Sequence, residues 1–379
     1  MESIFFLSLA AIIYVYAGYP LTVFLFGILV NKKVRKGSFF PFVTVVIAAY
    51  NEKDVIAETI KNKLHQNYPA DRLDIIVVSD DSTDGTDKIA SGFKDYRVRL
   101  LRQWPRAGKT SALNLAVAQA KGEIIVFSDA NSIYAPDAIR NLVSNFSDPE
   151  VGYVTGSMIY VNPDGSPIGD GCTAYMRYEN ALRKSESRIG SVVGVDGGVD
   201  AVRKSLYQPM DADQLPDFVL PLKVIEQGYR VVYEENAVLH ELSLNEAHDE
   251  YRMRVRVSLR ALWALFTMRR LLGPAVNTLF AWQLWSHKVL RYLCFFFLVG
   301  ALLSNIMLFP QGLFYKLMFH VQVLGYIAAI SASLFPLNAS VYKLMAIPRY
   351  FCLLNMAAAH AFGKFLLGQK QVFWTPRKG

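Results

Sequence analysis

Asp129 closes the apolar run IIVFSDANSIY over 124–134 and so stands at the tip of a buried strand. Two other apolar runs end in the same way. FVTVVIAAYNE delivers Tyr50, Asn51 and Glu52, and LDIIVVSDDSTDG delivers Asp80 and Asp81. A carboxylate at the C-terminal end of a parallel strand can face a ligand, because open α/β sheets bind ligands along that edge. Such groups accept hydrogen bonds, hold hard cations or take protons. Asp129 alone could equally cap the following turn. Three strands that each carry polar or acidic groups to one edge are a constellation that capping does not explain.

Three familiar motifs are approached and missed. QWPRAGKT resembles a phosphate-binding loop, but that motif needs a glycine five residues before Gly108 and Gln103 stands there. DDSTDG resembles a calcium loop with Asp80, Ser82, Asp84 and Gly85 in place, yet its twelfth position is Ser91 where a glutamate is needed. The first strand is not followed by the G-x-G-x-x-G of nicotinamide-binding folds.

The elements that must position these residues alternate. A strand at 43–48 precedes a helical stretch that ends by Pro69. LDIIVVSD is a second strand, followed by an acidic turn and a helix. VRLLRQ is a third strand. A helix opens after Gly108 and closes at Gly122, and EIIVFSDA is a fourth strand. APDAIRNLVSNF is a helix, and VGYVTGSMIYV is another strand. Strands alternating with helices of about 10 to 15 residues imply βαβ units and a mainly parallel sheet. Continuous Val/Ile runs fit strands covered on both faces. The expected fold class is α/β, with a Rossmann-like domain.

The chain has 379 residues, 53% of them hydrophobic, and a net charge of +8. The apolar residues concentrate at 1–30 and roughly 285–362, flanking an ordinary globular middle at 40–260. Residues 3–30 carry no charge and exceed the roughly 20 residues that cross a bilayer. They are too long for the apolar core of a signal peptide. Lys32, Lys33, Arg35 and Lys36 follow, and positive residues mark the cytoplasmic flank. The N-terminus is therefore expected outside and the globular middle inside. Residues 289–309 and 317–336 read as two further spans. Residues 344–368, interrupted by Pro348, Arg349, Asn355, His360 and Lys364, read as an interfacial or re-entrant segment, with a third full C-terminal span as the alternative. The net charge is accounted for by juxtamembrane Lys and Arg on anionic lipid, and no motif supports nucleic-acid binding. Cys172, Cys294 and Cys352 have neither metal spacing nor a disulfide framework.

VVIAAYNE, VVSDDSTDGT, RAGKTSALNLA and GEIIVFSDANS, in that order, resemble the family 2 glycosyltransferases with their GT-A fold. The resemblance covers about residues 40–260, and the membrane layout is similar to the branch that includes cellulose, chitin and hyaluronan synthases. It implies that Ala48, Tyr50, Glu52 and Asp80 hold a nucleotide's base and ribose. Arg106 and Lys109 would meet its diphosphate at a helix N-terminus, a place that favours anions. DAN takes the place of the family's DxD motif, so Asp129 and Asn131 are the expected ligands of Mg²⁺ or Mn²⁺. Asn131 departs from the pattern, its amide oxygen being a weaker ligand than a carboxylate. His240 is a further metal candidate or a surface histidine. Asp84 is expected to cap the following helix, and Asn114 to be structural.

In QLPDFVLPLK the resemblance makes Asp217 the base that deprotonates the acceptor hydroxyl in an inverting displacement. Asp196, Gly197 and Gly198 would line the acceptor site, and Asp200 stands where the family often has an aromatic residue. EYRMRVRVSLRALWAL replaces the family's Q-x-x-R-W, so Arg254 or Arg256 is assigned to the diphosphate and Trp263 is a candidate for the missing tryptophan. The implied layout is a transmembrane helix at 1–31, a cytoplasmic GT-A domain at 40–245, interfacial helices at 246–284, a transmembrane and interfacial region at 285–370, and a basic cytoplasmic tail at 371–379. The implied enzyme moves sugar from a nucleotide sugar, with a UDP-sugar expected, to a growing glycan or lipid-linked acceptor in envelope or extracellular polysaccharide synthesis. It would sit in the cell membrane, touching lipid and partner export or synthase subunits. Single-sugar transfer to a polyprenyl phosphate or other lipid, and an inactive nucleotide-binding subunit, are the alternatives.

Overall fold

The structure, a computed structural model, describes residues 1–161, 167–242, 246–334 and 339–373. Residues 243–245, 335–336 of the expected third span, and 374–379 of the expected basic tail lie outside the described residues.

Eight strands form one sheet. They are β1 (Val43–Ala49), β2 (Leu73–Asp80), β3 (Val98–Gln103), β4 (Ile124–Asp129), β5 (Ile133–Tyr134), β6 (Val151–Val161), β7 (Asp200–Arg203) and β8 (Arg230–Leu242), in the order β3-β2-β1-β4-β7-β6-β8-β5. The half β3-β2-β1-β4 is parallel throughout. Beyond it β7 runs antiparallel to β4 and β6, β6 pairs parallel with β8, and β5 closes the edge antiparallel to β8. Ala48 lies opposite Asp129, and Asp80 opposite Gln103, so the parallel register brings the strand ends to one edge.

β1 is buried at every position. Val43, Val45, Ile47 and Ala49 join one core with Ile56, Ile60, Ile139 and Leu142, while Val46 and Ala48 join another with Ala112, Leu113 and Ala116. An apolar residue at each step of a strand suits a sheet covered on both sides.

The helices before α7 are α1 (Glu2–Ile13), α2 (Tyr19–Val30), α3 (Ile56–Leu64), α4 (Thr86–Ser91), α5 (Lys109–Gln119) and α6 (Ala138–Ser144). A five-residue π-helical segment, Tyr14–Gly18, joins α1 to α2. The first four helices from α7 are α7 (Pro167–Ile189), α8 (Pro216–Glu226), α9 (Ala247–Thr267) and α10 (Thr278–Leu284). Then come α11 (Leu290–Tyr292), α12 (Cys294–Leu308), α13 (Leu313–Leu334) and α14 (Ala339–Leu366). Strand β6 and strand β3 match the sequence expectation to the residue, whereas the helix after β1 is shorter than expected, opening only at Ile56.

Among the described residues three helices are long and apolar enough to cross a membrane: Glu2–Val30, Cys294–Gln311 and Leu313–Ile330. The second begins later than expected. The segment expected to be interfacial or re-entrant is one unbroken helix, α14, packed on α7, α9 and α13. It does not turn back because polar side chains fasten it along its length: Tyr350 to Glu250 at 2.6 Å and His360 to Tyr251 at 3.0 Å. The basic residues after α2 are docked on the globular domain, with Lys32 bridging Glu150 at 2.8 Å and Lys36 bridging Glu234.

Candidate active site

Asp129 leaves the end of β4 and Glu52 the turn after β1. That turn is pinned to its neighbour. Asn51, at φ +54°, accepts from the Thr83 amide at 2.8 Å, and the Glu52 amide donates to Thr86 Oγ1 at 2.9 Å. Asn tolerates this left-handed conformation better than most residues. Asp84 accepts from the Thr86 and Lys53 amides just ahead of α4, but the N-cap position expected of it is taken by Gly85.

Asp80 is wholly buried. It accepts from the Ala107 amide at 2.8 Å, the Gly108 amide at 3.0 Å and the Gln103 side chain at 2.5 Å, with Arg106 Nε 3.6 Å away. Its carboxylate thus shapes the loop that opens α5. The Arg106 guanidinium lies 3.5 Å from the centre of the Tyr50 ring, and Phe373 flanks it at 5.0 Å. The loop places Lys109 at the start of α5, its ammonium 2.5 Å from Asp129 Oδ1 and 3.8 Å from Asp217 Oδ1.

Asp217 follows Pro216 in the first turn of α8, where proline's missing N–H costs nothing. Gly197, at φ +80°, makes its seat: a Cβ there would stand 2.2 Å from Asp217 Cγ. Gly197 and Gly198 therefore pack behind the site and do not line the cavity. Asp200 lies beneath them, accepting from Tyr153 at 2.9 Å and from the Gly197 amide at 2.7 Å. Asp196 reaches the cavity with its carboxylate already bridged to Arg183 at 2.6 Å.

A cavity of about 550 Å³ joins Ala48, Glu52, Lys109, Asp129, Asn131 and Asp217. Arg254 and Arg256 enter it from α9, with Arg254 bridged to Glu250 at 2.7 Å and bonded to Tyr350 at 2.6 Å. Arg260, on the same helix, donates to the Thr110 hydroxyl at 3.1 Å and to the Gln214 carbonyl, fastening the loop before Asp217. Tyr50, Asp80 and Arg106 stand outside the cavity lining. Trp263 does not line the cavity either. It donates to the Gln369 carbonyl at 2.8 Å and packs on Phe365, so it does not supply the missing tryptophan. His240 is exposed on β8 opposite Ile133 and is not among the residues lining the cavity. Asn114 is structural, binding the Met210 carbonyl at 2.7 Å and Tyr207 at 2.8 Å.

The electrostatics are those of a crowded acid site. Burial raises the Asp217 carboxyl above its ordinary value, Lys109 pulls it back and Asp129 pushes it up. Burial, then Asp129, raises Glu52 to about 7. Burial alone would lower the Lys109 ammonium, but Asp129 and Asp217 more than offset that and raise it. Among the described residues no three His, Cys, Asp or Glu side chains converge to hold a metal ion. At the end of β4 the cavity is lined by the Asp129 carboxylate and by Asn131, two residues on. That donor set fits a hard cation arriving with phosphates, since Mg²⁺ typically takes one or two carboxylates and completes its shell with substrate and water.

Sequence reasoning missed α7 and its buried Glu179, Arg183 and Glu186, and the stretch 369–373 that crosses the Arg106 loop. Val372 packs on Gly108, where a Cβ would meet its side chain at 3.2 Å. Phe373, an aromatic residue within the basic tail, was the available signal.

Residues 44–207 match the family described as Glycosyl transferase family 2. The chain is 29% identical over 312 residues to the probable glycosyltransferase YdaM of Bacillus subtilis, a match spanning 76% of this chain and 70% of that one. It is 28% identical over 221 residues to the poly-beta-1,6-N-acetyl-D-glucosamine synthase of Staphylococcus aureus, spanning 56% of this chain and about half, 53%, of the synthase. Its fold is shared with the mannosyltransferase PcManGT from Pyrobaculum calidifontis, solved with GDP-Man and Mn²⁺, at a TM-score of 0.72 and 24% identity over 97% of this chain and 99% of that one. The strand-edge acids, the mixed sheet and these likenesses agree: residues 44–207 match the glycosyl transferase family 2 model, the chain has a GT-A-like fold, and its relatives are glycosyltransferases.

Proposed function

We propose that the chain is a membrane-embedded inverting glycosyltransferase that moves a sugar from a nucleotide sugar to a growing glycan or lipid-linked acceptor on the cytoplasmic side. The observation that carries this is the placement of Asp217 with Lys109 and Asp129 in one cavity. Asp217 is the base assigned to take a proton from an acceptor hydroxyl as that oxygen attacks the anomeric carbon. One base and one displacement, with no covalent intermediate, invert the anomeric centre. Lys109 and Arg256 supply positive charge for the departing diphosphate, an electrostatic contribution often larger than the base's own.

Asp129 and Asn131 would hold a divalent cation, which supplies charge neutralisation at the diphosphate. The Mn²⁺ bound to PcManGT is in keeping with this choice. Tyr50, Asp80, Arg106 and Ala48 are assigned to the nucleotide side, Asp80 by shaping the Arg106–Lys109 loop. A UDP-sugar remains the expected donor, and the synthase relatives favour polysaccharide synthesis as the setting. The basic stretch that begins at Lys32, docked on the domain, supports a cytoplasmic domain beneath a cell-membrane anchor.

The test is nucleoside diphosphate release by the full chain in nanodiscs, with a panel of nucleotide sugars and with Mg²⁺, Mn²⁺ or EDTA. Release from one donor, lost with EDTA, supports the transferase and its cation. Asp217→Asn should lower turnover by about 10²–10⁴-fold while nucleotide affinity, read by calorimetry, stays the same. Full turnover in that variant would remove Asp217 as the base. No release from any donor, with membrane extract as acceptor, would favour an inactive subunit.

A further inference from the structure

The cavity does not end at the acid cluster. From Asp217 it continues past Gly194 and Lys288 to Tyr16, Phe351, Leu354 and Ala358, on the N-terminal apolar helix and α14. The Tyr16 and Phe351 rings meet there, 5.1 Å apart. A space that begins at a base and ends between two largely apolar helices has the shape of a route for a molecule with a polar head and an apolar chain.

Most cations along this route are matched. Lys109 faces Asp129, Arg183 faces Asp196 and Arg254 faces Glu250, all within 2.7 Å, and Arg291 is bridged to Glu179. Lys288 differs. Among the described residues no carboxylate stands within ion-pairing distance of its ammonium and no side chain or carbonyl hydrogen-bonds it. The ammonium rests over the backbone of Gly194, where a Cβ would come within 2.6 Å of Nζ, and lies 5.9 Å from the centre of the ring of Phe218, the neighbour of Asp217. Burial pushes Lys288 down to about 8, with Glu179 opposing and Arg291 adding to the fall, so it is still largely charged at neutral pH. Lys288 is half-buried and lines the cavity. A cation held there without a carboxylate partner is partly stripped of water, and an anion placed in the cavity would offset that cost.

We propose that Lys288 anchors the phosphate of a membrane-anchored acceptor, whose apolar chain leaves along Tyr16, Phe351, Leu354 and Ala358. The proposal rests on the transferase reading above and narrows its acceptor to a phosphorylated lipid. Gly194 keeps room for the ammonium, and Phe218 links the anchor to the segment bearing Asp217, so a hydroxyl carried beyond the phosphate is directed towards the base.

The experiment uses the full chain in nanodiscs and native mass spectrometry to count retained lipid, with a polyprenyl phosphate and the matching polyprenol as probes. The wild type should retain the phosphate at least about tenfold over the alcohol. Lys288→Gln should lose that preference, Lys288→Arg should keep most of it, and nucleoside diphosphate affinity should be the same in all three. Equal retention of alcohol and phosphate by the wild type would overturn the anchor, whether or not the variants fold. So would a Lys288→Gln protein that keeps the preference, or excess inorganic phosphate that displaces the lipid and occupies the site in its place. A chain that binds no nucleotide yet keeps a Lys288-dependent phosphate preference would sink the transferase reading and leave the anchor standing.

Discussion

Asp217 serves as a base only while unprotonated, and its neighbours pull it both ways. Burial and Asp129 raise its carboxyl, and Lys109 opposes them. Turnover should therefore fall as pH drops through the raised value. In Lys109→Met the cation that favours the carboxylate is gone, so the acid limb of the kcat/KM profile should move to higher pH. A limb that stays in place would mean another group titrates. Asp200 offers a separate test. Burial, with Asp196 and Asp217 adding to it, raises it to about 7. A carboxyl whose folded value exceeds its unfolded value near 4 binds its proton more tightly in the folded state. Stability is then fullest below the unfolded value and is lost as pH rises towards about 7. Asp200→Asn keeps an oxygen for Tyr153 and Gly197 and should raise Tm at pH 8 while leaving it little changed at pH 4.5, as read by calorimetry. The strand-tip acids were legible in the sequence because an apolar run that stops at Asp129 has only one physical reading as a strand end. The internal commitments of Asp80, of Asp196 and of Arg254 to Tyr350 were not, since each is set by a partner on another element.

At the level of elements, the alternation of strand and helix was readable because each parallel strand is a Val/Ile run buried on both faces. Helix α7 was not, because its sequence is polar on average and carries no apolar run, although it packs against α2, α14, β6 and β8. Gly197 shows how a turn and a helix start cooperate. Its positive φ and the missing Cβ let the first turn of α8 bring Asp217 forward. Gly197→Ala has neither the backbone conformation nor the space. It should cost about 1–3 kcal/mol of stability and lower kcat more than it raises donor KM. A variant with wild-type kcat would show that Asp217 needs no such seat.

Across the whole molecule, globular domain and apolar helices are joined by buried charge. Glu186 accepts from Tyr19 at 2.5 Å and meets His287 at 2.7 Å, while Glu179 meets His287 at 3.2 Å and Arg291 beside it. Breaking one member leaves the others uncompensated, so Glu179→Ala should cost about 3–5 kcal/mol, seen as a lower Tm in nanodiscs. An unchanged Tm would mean that the cluster carries no strain-bearing charge. The sequence marked boundaries near residues 40 and 260 from hydropathy alone, which sees where apolar residues lie and not which of them clasp a charged helix. That clasp has a practical side for anyone wishing to dissect the protein. A fragment trimmed to residues 40–245 would present α7 to water with its acids bereft of Tyr19, His287 and Arg291. Such a soluble head should precipitate or sit idle, and a detergent that loosens the first helix should silence the enzyme well before the sheet melts.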